Sequence, residues 1–391
     1  MMKLLSSSLR TSVMSLSLVA GMIPAVLAQS ADDDAKKGMP PIPELTQKAK
    51  DIHFSGMLFD GHNDLPWTMR AKADSSFEKV DIRQPTEFHT DIPRIKQGGL
   101  KAQFWSVFVP ASTATTGNSF VMTMEQVDLV DDMLEHYPEE FELAKTAADV
   151  RRISGEGKVA SMMGVEGGYS IENQLSLVQR FYDRGVRYIT LTHSKTIPWA
   201  DSATDEAQHE GLTPFGEEVV REMNRVGMLV DISHVSEATM EDALRVTKAP
   251  VIFSHSSAKA ICDHPRNVPD AILKKLPENG GVVMINFMSG YIAPTAELEK
   301  DPKARGTIFD VCDHIEHVIK TAGIDHVGIG SDFDGVSSLP VGLEDVSKYP
   351  YITQILLDRG YSEEDLHKLL GENVLRVLEQ AEQVAKEMND N

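Results

Sequence analysis

Eight short apolar, β-branched runs recur along the chain: Met57–Asp60, Ala102–Val109, Val159–Val165, Val186–Thr192, Met228–Ile232, Pro250–Ser254, Gly281–Phe287 and Val327–Ser331. Longer amphipathic stretches separate them, among them Met124–His136, Leu175–Arg184, Glu217–Val226 and Ser236–Val246. Strands this continuously apolar are buried on both faces, which requires a parallel sheet with helices packed over it. Eight strand–helix units predict a closed (β/α)8 TIM barrel, an α/β single domain, rather than an open doubly wound sheet. The final segment, Ser362–Met388, opens with Ser362 three residues before Asp365, a capping pattern, and predicts a long C-terminal helix. The expected barrel covers about 45–388.

The N-terminal residues read differently. Residues 1–28 contain Lys3 and Arg10 and no acid, then an apolar stretch ending in Val26-Leu27-Ala28. That order predicts a secretory signal peptide, and with it export, a bacterial periplasm being the expected compartment. Ser15, Ser17, Gly21 and Pro24 interrupt the stretch, which argues against a transmembrane helix. Residues 29–44, polar and Pro-rich, read as a flexible leader. Gln29 and not a cysteine directly follows Ala28, and the last residues are charged, so no membrane anchor is expected at either end.

Composition enters by exclusion. The formal charge of −21 over 391 residues leaves no basic surface for phosphates, so nucleic acid is not an expected partner. Only Cys262 and Cys312 are present, which rules out a disulfide framework or a thiolate zinc site. Pairing of these two remains open in an oxidising compartment.

The residues that end the apolar runs carry the chemistry. The first run ends in Gly61-His62-Asn63-Asp64, the third in Glu166, the fourth in His193, the fifth in His234, the sixth in His255 and the eighth in Asp332. A histidine or aspartate after a strand is ordinarily a turn former or helix cap. Six such residues in one barrel, however, converge on the face where active sites form. His62 and Asp64, two residues apart on extended chain, leave on the same side and can share a cation. His234 and His255, from adjacent strand ends, can meet at a second, with the two oxygens of Glu166 bridging. Imidazole and carboxylate without thiolate suit Zn²⁺, with Mn²⁺ or Co²⁺ as substitutes. Two such ions about 3.5 Å apart would bring a bridging water to near-neutral pKa and supply hydroxide. Asp332 can take the water proton and return it to a leaving amine, with Asp334 as its rival. The Gly328-Ile329-Gly330 segment lacks the third glycine of a dinucleotide site.

These residues sit in the segments GHNDLPW (61–67), GVEGGYSIENQ (164–174), LTHSKTIPWAD (191–201), DISHVS (231–236), IFSHSSAKAICDHPRNVPD (252–270) and GIGSDFDG (328–335). Together with GENVLRVL (371–378), they resemble the renal-type (membrane) dipeptidases of peptidase family M19, within the metal-dependent amidohydrolase group. The resemblance implies a binuclear zinc barrel, two zinc ions per chain, that cleaves dipeptides and tolerates a D-residue on the carboxyl side. It implies His62 and Asp64 on one zinc, His234 and His255 on the other, and Glu166 between them. His193 would contact the scissile carbonyl or its oxyanion, Arg266 would clamp the substrate carboxylate, and Asp332 would manage the proton. Tyr291 would assist at the carboxylate end. A planar guanidinium does pair bidentately with a carboxylate, although a surface ion pair with Asp263 or Asp270 is the alternative for Arg266. An N-acyl-D-amino-acid, β-lactam or lactone hydrolase on the same site remains the alternative activity, and a homodimer is compatible with the fold.

Overall fold

The computed structural model describes residues 39–390. The expected signal peptide and residues 29–38 of the leader lie outside these described residues. Nine parallel strands follow the order of the apolar runs: β1 (Leu58–Asn63), β2 (Leu100–Ser106), β3 (Phe141–Leu143), β4 (Val159–Glu166), β5 (Val186–Thr190), β6 (Leu229–Asp231), β7 (Ile252–Phe253), β8 (Val282–Ile285) and β9 (Val327–Ile329). β1 pairs with β2 on one side and β9 on the other, and β2 pairs with β4, so eight strands close into a ring. This is the (β/α)8 TIM barrel expected from the sequence. The ninth strand, β3, pairs with the first residues of β4, Phe141 opposite Val159. It was not among the eight runs, because three residues preceded by Glu139-Glu140 carry no apolar pattern of their own.

Side chains alternate across each strand, so every second residue points inward. Along β4 the inward series of Ala160, Met162, Gly164 and Glu166 changes from apolar to charged as it approaches the C-terminal end. Inward apolar residues of the other strands, among them Phe59, Phe104, Tyr188, Leu229, Val282 and Met284, form one buried group. Val374, Leu375, Val377 and Leu378 of the C-terminal helix join it, so that helix stoppers the barrel at the end away from the charged residues. Gly164 makes room for the Tyr188 ring: a Cβ there would lie 1.9 Å from Tyr188 Cζ.

The helices start where their caps predict. Thr213 and Ser236 accept from the amides of Gly216 and Thr239 at the heads of Pro214–Val226 and Glu237–Val246. Ser362 and Asp365 form a reciprocal capping box. The long C-terminal helix is not continuous. It runs Glu363–His367, loosens into a wide turn over Lys368–Glu372 with a non-helical Gly371, and resumes over Asn373–Asp390. The break has a steric cause, since Gly371 presses on β1 where a Cβ would lie 2.0 Å from the Met57 carbonyl oxygen. Asn373 then donates to the carbonyls of Ile324 and Val327 and pins the start of β9.

Cys262 and Cys312 are buried free thiols. Burial pushes the Cys262 thiol up to about 11. Among the described residues no helix is long and apolar enough to cross a membrane.

Candidate metal centre and active site

β1, β4, β6, β7 and β9 end around one small volume. Glu166, the last residue of β4, is its centre. Oε1 of Glu166 lies 2.9 Å from Nε2 of His234 and 3.3 Å from Nε2 of His255, while Oε2 lies 3.6 Å from Nε2 of His62. One oxygen thus faces the pair from β6 and β7 and the other faces β1. His62 Nε2 is 3.1 Å from Asp64 Oδ2, and the two imidazole nitrogens of His234 and His255 are 2.8 Å apart. Asp332 completes a third set of close ligand atoms with His62 and Asp64. His193 approaches from the end of β5, its Nε2 3.8 Å from Glu166 Oε1.

The backbone is bent to achieve this. His234 and Asp332 both have φ of 65°, the left-handed region that side chains with a Cβ seldom occupy. His234 is held there by its own carbonyl, which accepts from Ala203 N at 2.8 Å, Thr192 Oγ1 at 3.1 Å and Ser202 Oγ at 3.3 Å. Those three donors belong to β5's end and the loop after it. That loop also carries His193, whose carbonyl lies 2.6 Å from the same Ser202 hydroxyl and shares its one proton with the His234 carbonyl.

The donor set fits a pair of divalent cations. Five ligand-type side chains, two of them carboxylates, are buried within reach of one another. Oδ1 of Asp64 and Nδ1 of His234 are buried without a hydrogen-bond partner. Burial holds His234 and His255 well below the ordinary imidazole value, hence neutral and able to offer a lone pair. Burial works against it, yet Glu166 is held well below the usual carboxylate range, first by the charge of His62 and then by the hydrogen bonds of His234 and His255. Burial, reinforced by Asp64 and Glu166, pushes the Asp332 carboxyl up to about 8. A cation among these carboxylates acts in the opposite direction.

A cavity of about 260 Å³ opens over the cluster. Asp64, Glu166, His193, His234, Arg266, Tyr291 and Asp332 line it, while His62 and His255 lie beneath, almost fully buried. Arg266 is also buried; its NH1 and NH2 make long contacts to Ser256 Oγ and the His255 carbonyl, at 3.3 and 3.2 Å. Its Nε has no partner, and no ion pair joins it to Asp263 or Asp270. The Tyr291 ring sits 5.6 Å from the guanidinium. Asp334 is placed elsewhere: Oδ1 accepts the His89 amide at 2.9 Å, which ties down the loop before residue 92. Asp332 instead faces the cavity and accepts from Asn286 Nδ2 at 2.9 Å.

Sequence reasoning missed the apolar wall of this cavity. Trp67 and Phe108 meet edge to face at 5.1 Å, and Met288 and Val336 lie across from them. Trp67 follows the His62–Asp64 motif closely enough to have been found; Phe108 lies within the apolar run Ala102–Val109 and looks like any core residue.

A barrel with buried imidazoles and carboxylates gathered at the C-terminal ends of its strands defines a metal-dependent hydrolase of the amidohydrolase kind. More narrowly, residues 46–391 match the family described as "Membrane dipeptidase (Peptidase family M19)", and the chain belongs to that family of metallo-dipeptidases. It is 47% identical over 337 residues to dipeptidase tcpJ of Claviceps purpurea, covering 83% of this chain and 77% of that one. A metallopeptidase from Rhodobacter sphaeroides, solved with a phosphinate mimic of the dipeptide L-Ala-D-Ala, superposes with a TM-score of 0.72 at 26% identity over 83% of this chain and 99% of its own. Dipeptidase AC, a family M19 metallopeptidase, superposes with a TM-score of 0.73 at 26% identity over the same shares.

Proposed function

We propose that this protein hydrolyses the peptide bond of dipeptides, including those with a D-residue at the carboxyl end, using two zinc ions held by His62, Asp64, Glu166, His234 and His255. The observation that carries the reading is the division of Glu166, one oxygen toward His234 and His255 and the other toward His62. When bound, such a pair of cations lowers the pKa of a shared water and polarises a carbonyl.

The chain's own residues do the rest. Arg266, buried with Nε unpartnered, offers a planar edge to the substrate's terminal carboxylate. Tyr291 stands beside it and narrows that end of the cavity. His193 is kept neutral by burial, so it donates a hydrogen bond to the carbonyl oxygen as charge develops there without itself carrying charge. Asp332, steadied by Asn286, is placed to accept the attacking water's proton and deliver it to the departing amine. With Arg266 as a fixed carboxylate anchor in a cavity of about 260 Å³, the site favours a short substrate. The phosphinate mimic of L-Ala-D-Ala bound by the Rhodobacter sphaeroides relative supports tolerance of a carboxyl-terminal D-residue. Export to a periplasm is proposed from the signal-peptide pattern of residues 1–28 alone.

The test is a rate comparison of dipeptides, L,D-dipeptides, tripeptides and N-acyl amino acids. Hydrolysis of both dipeptide classes, with the other two slower by at least about tenfold, is expected. Equal rates on all four would remove Arg266 as the gauge of substrate length and favour a general N-acyl hydrolase.

A further inference from the structure

Two aspartates near the strand ends are bound by the same set of donors. Oδ1 of Asp231, on β6, accepts the amide two residues on, Ser233, at 3.0 Å, and the amide of Ser254 after the neighbouring β7 at 2.9 Å. Its Oδ2 accepts two hydroxyls, Thr190 at 2.5 Å and Ser254 at 2.6 Å. Asp60 on β1 repeats the arrangement: Oδ1 takes the amides of His62 and Ser331, and Oδ2 takes the hydroxyls of Ser331 and Tyr349. In both cases a carboxylate laces its own strand to a serine on the next strand of the barrel. Four donors to each carboxylate leave it no proton of its own to give.

On the β6–β7 side the arrangement reaches an imidazole. Ser254 Oγ lies 2.8 Å from Nδ1 of His255. A serine hydroxyl has one proton, and Asp231 Oδ2 takes it. Ser254 Oγ is therefore the acceptor toward His255, and Nδ1 of His255 carries the hydrogen. The lone pair of the ring then sits on Nε2, the atom 3.3 Å from Glu166 Oε1 and 2.8 Å from His234 Nε2.

We infer that Asp231 is a positioning residue for cation binding: through Ser254 it fixes the tautomer and ring direction of His255. The inference rests on the metal reading above. Removing the hydroxyl frees the His255 ring to exchange tautomers and rotate, so the cation shared by His234 and His255 is held less tightly while the one at His62 and Asp64 is not.

The experiment measures zinc affinity of the two sites by competition with a chromophoric chelator, for the unmodified protein, Ser254→Ala and Thr190→Val. Thr190→Val removes a donor to the same carboxylate without touching Ser254, and so isolates general loosening of the strand ends. Nitrogen-15 spectra of histidine-labelled, metal-free protein report the tautomer of His255. Ser254→Ala is expected to weaken one of the two zinc ions about 10- to 100-fold, leave the other within about twofold, and abolish the single Nδ1–H signature. Thr190→Val is expected to leave both affinities and that signature in place. Unchanged affinities in a folded Ser254→Ala protein, or an equal loss in Thr190→Val, would overturn the inference and leave the metal site standing. Failure of the unmodified protein to take up zinc would overturn the metal reading itself.

Discussion

The carboxylate of Glu166 lies within 3.8 Å of four imidazoles, those of His62, His193, His234 and His255. The Nε2 atoms of His234 and His255 lie 2.8 Å apart, so both cannot carry a hydrogen toward Glu166, whereas a divalent cation would take both lone pairs. Roles divide sharply around it. Asp332 faces the cavity, so Asp332→Asn should keep both cations and lower turnover by about 10²- to 10⁴-fold; retained activity with retained metal would move the proton transfer to another group. Arg266→Lys keeps the charge but loses the planar edge, and KM for dipeptides should rise at least tenfold with a smaller change in kcat. An unchanged KM would mean that the substrate carboxylate is held elsewhere. Glu166 and Asp332 stood out in the sequence because each ends an apolar run, and Arg266 only through the family resemblance. Asn286 and Tyr188 did not. Tyr188, whose hydroxyl is 2.8 Å from Nδ1 of His62, lies inside a run that reads only as strand.

Among the elements, the strands were readable and their edges were not. β7 keeps only Ile252–Phe253 in ladder pairing although the apolar run is longer, because Ser254 leaves the ladder to bind Asp231. β3 was invisible for lack of pattern. The C-terminal helix shows the opposite failure, where a helical pattern continues through a place at which the barrel wall intrudes. That place is Gly371, and its neighbours in GENVLRVL turn out to be structural, since Asn373 pins β9 and Val374 to Leu378 seal the barrel floor. Gly371→Ala puts a carbon against the Met57 carbonyl oxygen and should cost about 1–3 kcal/mol. Thermal unfolding checks this: a melting point within a degree of the original would show that the wide turn relaxes freely.

For the molecule as a whole, part of the stability depends on keeping two buried histidines outside the site neutral. His53 and His314 are each pushed by burial from 6.5 to about 4. His314 shows why: Nδ1 accepts the Ala258 amide and Nε2 donates to the Ile292 carbonyl, which joins the segments carrying Arg266 and Tyr291. A proton on Nδ1 would break the first bond. Because the folded pKa is the lower one, the unfolded chain binds protons first. The stabilisation is complete above about 6.5 and is lost as pH falls through about 4, roughly 3 kcal/mol for each ring. Urea midpoints from pH 7 to 4 should fall less steeply in His314→Gln than in the unmodified protein; identical slopes would exclude this residue. The closed ring explains why remote residues meet at all, and the chain order of strand ends foretold it, while the hydroxyl and carboxylate contacts behind the histidines, Ser254 and Asp231 among them, left no trace in the sequence. The most direct measurement is the divalent-ion content per chain of the purified protein and of its Glu166→Gln variant. Two ions in the former and no more than one in the latter are predicted; a single ion in both, with dipeptide hydrolysis intact, would contradict the bridged site.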